Sequence, residues 1–198
     1  METSRDLIND EDFKIRHRSD ETVFTRLRTL SFSIVMILII QKSLKSLQLI
    51  LNEFSLELGF NPVTASAFTQ ARANLSHKAF IELNQKAVVD VMYKDDDIIT
   101  YKGMRVLGID GSKILLPNHK SVIETFGEIS YSNDHPEIKG THAYGLASVL
   151  YDVLNRVVID SKLGKARDYE VNLAIDHLCH TKENDLLICD RNYPSYIL

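Results

Sequence analysis

Apolar residues recur at helical steps up to about residue 93 and then gather into short uninterrupted runs from residue 105 onward. A chain with that switch reads as a helical part followed by a part built on a sheet. Leu44, Leu47, Leu51 and Phe54 fall at three- and four-residue steps, one face of a helix, until Gly59 and Pro62 break the pattern. Thr64 or Ser66 is placed to cap a second helix running through Ala71 and Ala73 to Leu75. Ser76 is placed to cap a third, with Phe80, Leu83, Ala87, Val88 and Val91 on its buried side. The acidic run Lys94–Asp97 closes the block, which gives an expected helical domain over 22–97 behind a flexible tail, 1–21.

The remainder, 98–198, reads differently. Arg105–Asp110 (RVLGID) and Asp185–Cys189 (DLLIC) are short runs expected as buried strands. His142–Tyr151 and Val153–Leu163 are rich in strand formers, and Asp152 and Asn155 between them supply turn chemistry for a hairpin. Asp168 is expected to cap a helix over Tyr169–Leu178, and Pro194 suits the first turn of a helix after the last strand. Strand, hairpin, helix, strand and the start of a helix make an α/β fold.

Composition removes some functions and proposes few. The run Ile34–Ile40 is too short to span a bilayer, so no membrane partner is expected. The N-terminus lacks the basic flank and apolar stretch of a secretory signal. Cys179 and Cys189 have no paired spacing and read as reduced thiols of a cytoplasmic protein. Net charge is −4, but residues 13–102 carry twelve bases against nine acids and residues 103–198 ten against thirteen. A mildly basic block before an acidic one suits DNA binding ahead of a metal site, although the asymmetry is weak.

Asp110 and Asp190 each follow an apolar run. A carboxylate there is costly unless a partner or metal accepts its charge, and strand ends form the rim where α/β sheets carry their sites. Two carboxylates meeting at one rim suit Mg²⁺ or Mn²⁺, which prefer oxygen ligands. The plainer reading is that each aspartate caps a turn, and Asp110-Gly111-Ser112 is a common turn sequence.

The wording around these aspartates says more. Asp110–Pro117 (DGSKILLP) with Phe126-Gly127 resembles the segment around the first catalytic aspartate of DDE transposases of insertion-sequence family four. Asp190–Ser195 (DRNYPS), eighty positions beyond Asp110, resembles the segment around their second. Phe24–Arg28 (FTRLR) and Thr64–Leu75 (TASAFTQARANL) are also similar to that family, the latter to a helix-turn-helix component. The resemblance implies a helical DNA-binding domain followed by an RNase-H-like mixed sheet with flanking helices. Asp110 and Asp190 would be catalytic residues and metal ligands, with two Mg²⁺ or Mn²⁺ ions in the complete site. Double-stranded DNA, both element ends and target, would be the partner, and the complete protein a DNA-bound homodimer at the prokaryotic nucleoid. The family's third carboxylate is a glutamate in a tyrosine-arginine-glutamate-lysine motif beyond the second aspartate, and Arg191–Leu198 contain no acid. The catalytic domain is therefore expected to be truncated and the chain inactive alone, with a DNA-binding protein or a non-functional remnant as the alternatives.

Arg16, Arg18, Arg26, Arg28, Arg72 and Lys78 are candidate phosphate contacts in the helical block, against the plainer reading of each as a solvated helix charge. Ser112 and Lys113 read as DNA contacts or as loop residues, Arg191 as a phosphate contact or a carboxylate's partner, and Tyr193 as packing. His177, Cys179, His180 and Cys189 cluster loosely, without the paired spacing of a zinc site.

Overall fold

Helix α3 (Phe32–Ile40) accounts for the most apolar stretch of the chain. In the computed structural model, which describes residues 2–26, 29–41, 43–94, 98–132, 139–191 and 193, this helix is buried on two sides. Phe32 and Met36 join Ile8, Phe13 and Ala79 in one core cluster, while Val35 and Leu38 join Leu51 and Phe68 in another. A helix shared by two clusters is apolar nearly all round for that reason. No helix among the described residues is long and apolar enough to cross a membrane.

The chain divides into two units, Met1–Asp90 and Val91–Leu198. The first contains α1 (Glu2–Asn9), α2 (Glu11–His17), α3, α4 (Leu47–Leu58), α5 (Ala65–Ala73) and α6 (Lys78–Asn84), which runs into a π-helical segment, Gln85–Val89; the short α7 (Asp90–Met92) spans the division. The division comes earlier than the expected one after Asp97, because Tyr93 already bonds to Asp152 of the second unit. Asp95–Asp97 lie outside the described residues.

Several expectations for this unit are met in detail. Gly59 ends α4 in the left-handed conformation (φ 71°), and the Thr64 hydroxyl caps α5 by accepting from the Ala67 amide at 3.1 Å. The Gln48 side chain fastens the turn between them, donating to the Val63 carbonyl and accepting from the Ala65 amide, each at 2.9 Å.

The expected tail is instead folded from Glu2 to Glu21. Asp10 caps α2 by accepting from the Phe13 amide at 2.7 Å, and Phe13 is completely buried. The end of α2 is tied down as well: Ser76 and Ser19 donate backbone bonds to His17 and Asn74, and Glu82 takes Arg16 at 2.7 Å and His17 at 2.6 Å. The apolar residues Leu7, Ile8 and Phe13 have a core to enter, which local composition did not reveal.

The third expected helix is corrected in two places. His77 precedes α6, and Ser76 makes only a 3.3 Å contact with the Lys78 amide. The π-helical segment adds a residue to the turn and shifts the phase beyond it, so Val89 is buried while Val88 and Val91 are exposed.

The second unit is a mixed α/β structure on a five-stranded sheet: β1 (Val106–Leu115), β2 (Glu128–Ser132), β3 (Lys139–Asp152), β4 (Val157–Lys165) and β5 (Leu186–Cys189). β3 pairs antiparallel with β1, β2 and β4, and β5 runs parallel to β1 on its other side. The β3–β4 hairpin turns as expected, with the Asp152 carboxylate accepting from the Leu154 and Asn155 amides. Helix α8 (Lys120–Phe126) precedes β2, and α9 (Glu170–His177) with a 3₁₀ turn, Leu178–His180, links β4 to β5.

Three expectations fail here. β1 continues to Leu115, so Asp110 lies within the strand and not at its end. Asp168 does not cap α9; its carboxylate accepts from the Lys165 amide at 2.6 Å and closes the turn after β4. β5 is exposed along its length, because its one described neighbour is β1. Pro194 and any helix it begins lie outside the described residues.

Two outcomes check the packing of the first unit. Phe13→Ala destabilises it by about 3–5 kcal/mol in urea unfolding, whereas a free tail would leave the midpoint unmoved. The Arg16 hydrogen bond, helped by Lys86 and His17, holds the Glu82 carboxyl down at about 2, against an ordinary 4.5. A depressed carboxyl contributes stability that is complete above about pH 4.5 and lost as the pH falls towards 2. Glu82→Gln should flatten that acid limb in melts recorded across the range.

Candidate functional site

The parallel pairing of β1 and β5 sets Val106 beside Leu186, Leu107 beside Leu187, Gly108 beside Ile188 and Ile109 beside Cys189. The residue after each of this last pair is an aspartate: Asp110, within β1, and Asp190, just beyond the end of β5. Residues at equal positions of neighbouring strands project to the same side of a sheet, and both aspartates line one open depression of about 550 Å³ with Gly108, Val149, Tyr151 and Ile188. Eighty positions apart in sequence, they are neighbours in space.

Their surroundings are those of a solvent-facing site. Asp110 is exposed, and its carboxylate has no hydrogen-bond or ion-pair partner among the described residues. Asp190 follows the last residue of β5, and the Arg191 amide donates to its carboxylate. Among the described residues no group of three His, Cys, Asp or Glu side chains converges as a metal cage. The donor set at this rim is two carboxylates, both oxygen ligands and both reachable from water. That is a set Mg²⁺ or Mn²⁺ accepts, since Mg²⁺ typically keeps several waters and takes one or two carboxylates together with a substrate phosphate.

The opposite face of the sheet is closed by α9. Glu170, at its first turn, lies against Gly111, where a Cβ would come within 3.0 Å of its side chain. The Tyr193 ring is buried nearby; burial first, and then the charges of Glu170 and Asp110, push its hydroxyl up to about 12. Deeper under α9, the Ser148 hydroxyl lies 3.1 Å from His177 Nε2, and His177 Nδ1 lies 2.8 Å from Asp160 Oδ2. Burial works against the Asp160 charge, yet His177 and Lys162 hold its carboxyl below the ordinary range.

Serine, histidine and aspartate in this order match the geometry of a nucleophilic triad. Here Ser148 and His177 are 0% exposed, so the arrangement fastens α9 to the sheet and offers no path to a substrate.

No protein-family model, curated protein or solved structure matches the chain.

The basic residues are distributed unevenly. Lys113 is exposed on β1 but on the side of the strand away from Asp110, Ser112 is exposed on the same side as Asp110, and Arg191 is exposed beside Asp190. In the first unit Arg26 lines a groove with Gln70 and Asn74 of the α5 region, while Arg72 and Lys78 are exposed. Arg16 is paired with Glu82 and is not a free cation for phosphate. Arg28 lies outside the described residues. Of the residues weighed for zinc, His177 is engaged by Ser148 and Asp160, His180 lies 3.5 Å from Asp160, and both cysteines are free and exposed.

Sequence reading missed Arg105 and Asp185. The Arg105 guanidinium grips the Asp185 carboxylate with two bonds, Nε to Oδ1 at 2.8 Å and Nη2 to Oδ2 at 2.5 Å, at the entry to β1 and β5. It also stacks over the Tyr93 ring at 4.9 Å, and the Tyr93 hydroxyl donates to Asp152 at 2.6 Å. Burial opposes the Asp185 charge, but Arg105 and the Lys182 amide keep its carboxyl below the ordinary range. A signal was present: Arg105 precedes Asp110 by the same five positions that separate Asp185 from Asp190.

The sealed serine gives a direct check. A fluorophosphonate probe should leave the native protein unlabelled, and modification of Ser148 under native conditions would show instead that α9 lifts from the sheet.

Proposed function

We propose that this chain belongs to the lineage of DDE-type DNA transposases of insertion-sequence family four, with an RNase-H-like core in its second unit and a DNA-binding first unit. The observation that carries the reading is that Asp110 and Asp190 come directly after Ile109 and Cys189, the last register pair of β1 and β5, and line one depression. The strand order supports it. β1, β3 and β4 form an antiparallel meander, and β1 takes β5 as a parallel neighbour through a crossover containing α9. An RNase-H-like core calls for that arrangement, with its carboxylates on the first strand and on the parallel one.

Asp110 and Asp190 are the residues that would hold Mg²⁺ or Mn²⁺. When bound, a divalent ion polarises a phosphodiester and stabilises the charge that develops on its oxygens. The protein's own contribution is to keep both carboxylates unpaired by internal cations and to present them on an open face that a DNA strand can approach. Arg191 and Ser112 flank that face, and Arg26, Arg72 and Lys78 are the phosphate contacts proposed for the helical unit. The activity proposed on these two carboxylates is binding of metal and DNA, and strand cleavage and transfer in that family take a third carboxylate.

Titration calorimetry with Mn²⁺ tests the metal half: Asp110→Ala and Asp190→Ala should each weaken binding by at least about tenfold. Equal affinity in wild type and both variants would remove the metal site. Gel shifts test the DNA half. Affinity for duplex DNA should fall with rising salt, with a log–log slope of about −0.9 per neutralised phosphate, and Arg26→Ala with Arg72→Ala should reduce that slope.

A further inference from the structure

β5 has little of its own to fix where it docks. It is four residues long, exposed along its length, and paired to β1 among the described strands. Burial on one face normally selects a strand's register, and here that selection is weak. Register nevertheless decides the site. A slip of one residue would turn Asp190 to the other face of the sheet, and a slip of two would carry it about 6–7 Å along the strand.

We propose that Arg105 and Asp185 are positioning residues, whose bidentate ion pair sets the register of β5 against β1 and thereby brings Asp190 alongside Asp110. The inference rests on the metal reading for its purpose but not for its geometry. Arg105 and Asp185 stand immediately before Val106 and Leu186, the first residues in register, and the Leu186 amide donates to the Arg105 carbonyl at 2.9 Å. From that pair each strand counts the same five positions to its aspartate. An Arg–carboxylate fork has one favourable alignment, unlike a point charge. Its two sides are themselves anchored. Tyr93 lies under the guanidinium and bonds to Asp152, which pairs with Leu107 across β1 and β3. The Lys182 amide donates to Asp185 at 2.8 Å, which fixes the carboxylate at the start of β5. The pair is shielded from water, with Arg105 8% exposed, so salt does little to loosen it.

The full chain tests this with three variants. Arg105→Lys keeps the charge and loses the fork, and Asp185→Asn keeps the shape and loses the charge. Because either leaves a buried charge poorly matched, the double variant Arg105→Leu with Asp185→Leu replaces the pair by apolar packing and guards against a simple folding failure. Cross-strand amide NOEs report register without metal, and Mn²⁺ titration reports the site. The expected result is that β1–β3 and β3–β4 NOEs persist, the Ile109–Cys189 contacts weaken or shift, and Mn²⁺ affinity falls by about tenfold or more. Native β1–β5 NOEs with unchanged Mn²⁺ affinity in the double variant would overturn the proposal. If wild type binds no Mn²⁺ while the variants still lose register, the metal reading falls and the positioning role stands.

Discussion

The backbone ladder of β3 carries the second unit. Its fourteen residues hydrogen-bond to β2 along the first part and to β1 and β4 along the rest. Leu146, Ser148 and Leu150 face α9 from this strand, while Val149 and Tyr151 line the depression that holds the two aspartates. Both surfaces of the sheet are thus referenced to a single central element. Asp152, at its end, is fully buried and spends its carboxylate on the hairpin turn and on Tyr93, so the frame is closed by charge as well as by apolar packing.

Polar groups are partitioned between the two faces by purpose. Under α9, Ser148, His177 and Asp160 satisfy one another, which is the condition for polar groups to be tolerated out of water. On the other face Asp110 is left unpaired by the described residues, and water can meet its charge without penalty. The same sheet therefore carries a sealed set of residues that resembles chemistry but offers no access, and an open pair of carboxylates that water reaches.

What could be read in the sequence follows from how local each cause is. Gly59, Thr64 and the Asp152–Asn155 turn act within a few residues of themselves, and their roles are visible in the string. The placing of Asp110 near Asp190 was legible because each follows an apolar run, and because the wording around each resembles one family's motifs. The failures have long-range causes. Phe13 finds its core through α3 and α6, so residues 1–21 looked like a tail; the π-helical segment changes the phase of Val88 and Val91. Asp168 had two local uses, and the turn after β4 took it before α9 did. Arg105 and Asp185 are eighty positions apart, and the equal five-residue step from each to its aspartate is a signal that needs the two strands side by side to be read.

Helix α3 has a consequence for how the first unit comes apart. Its residues belong alternately to both clusters, Phe32 and Met36 on one side and Val35 and Leu38 on the other. Withdrawing α3 takes two buried residues out of each cluster at once. The two cores are therefore coupled through one helix, and loosening it on either side loosens the other side too.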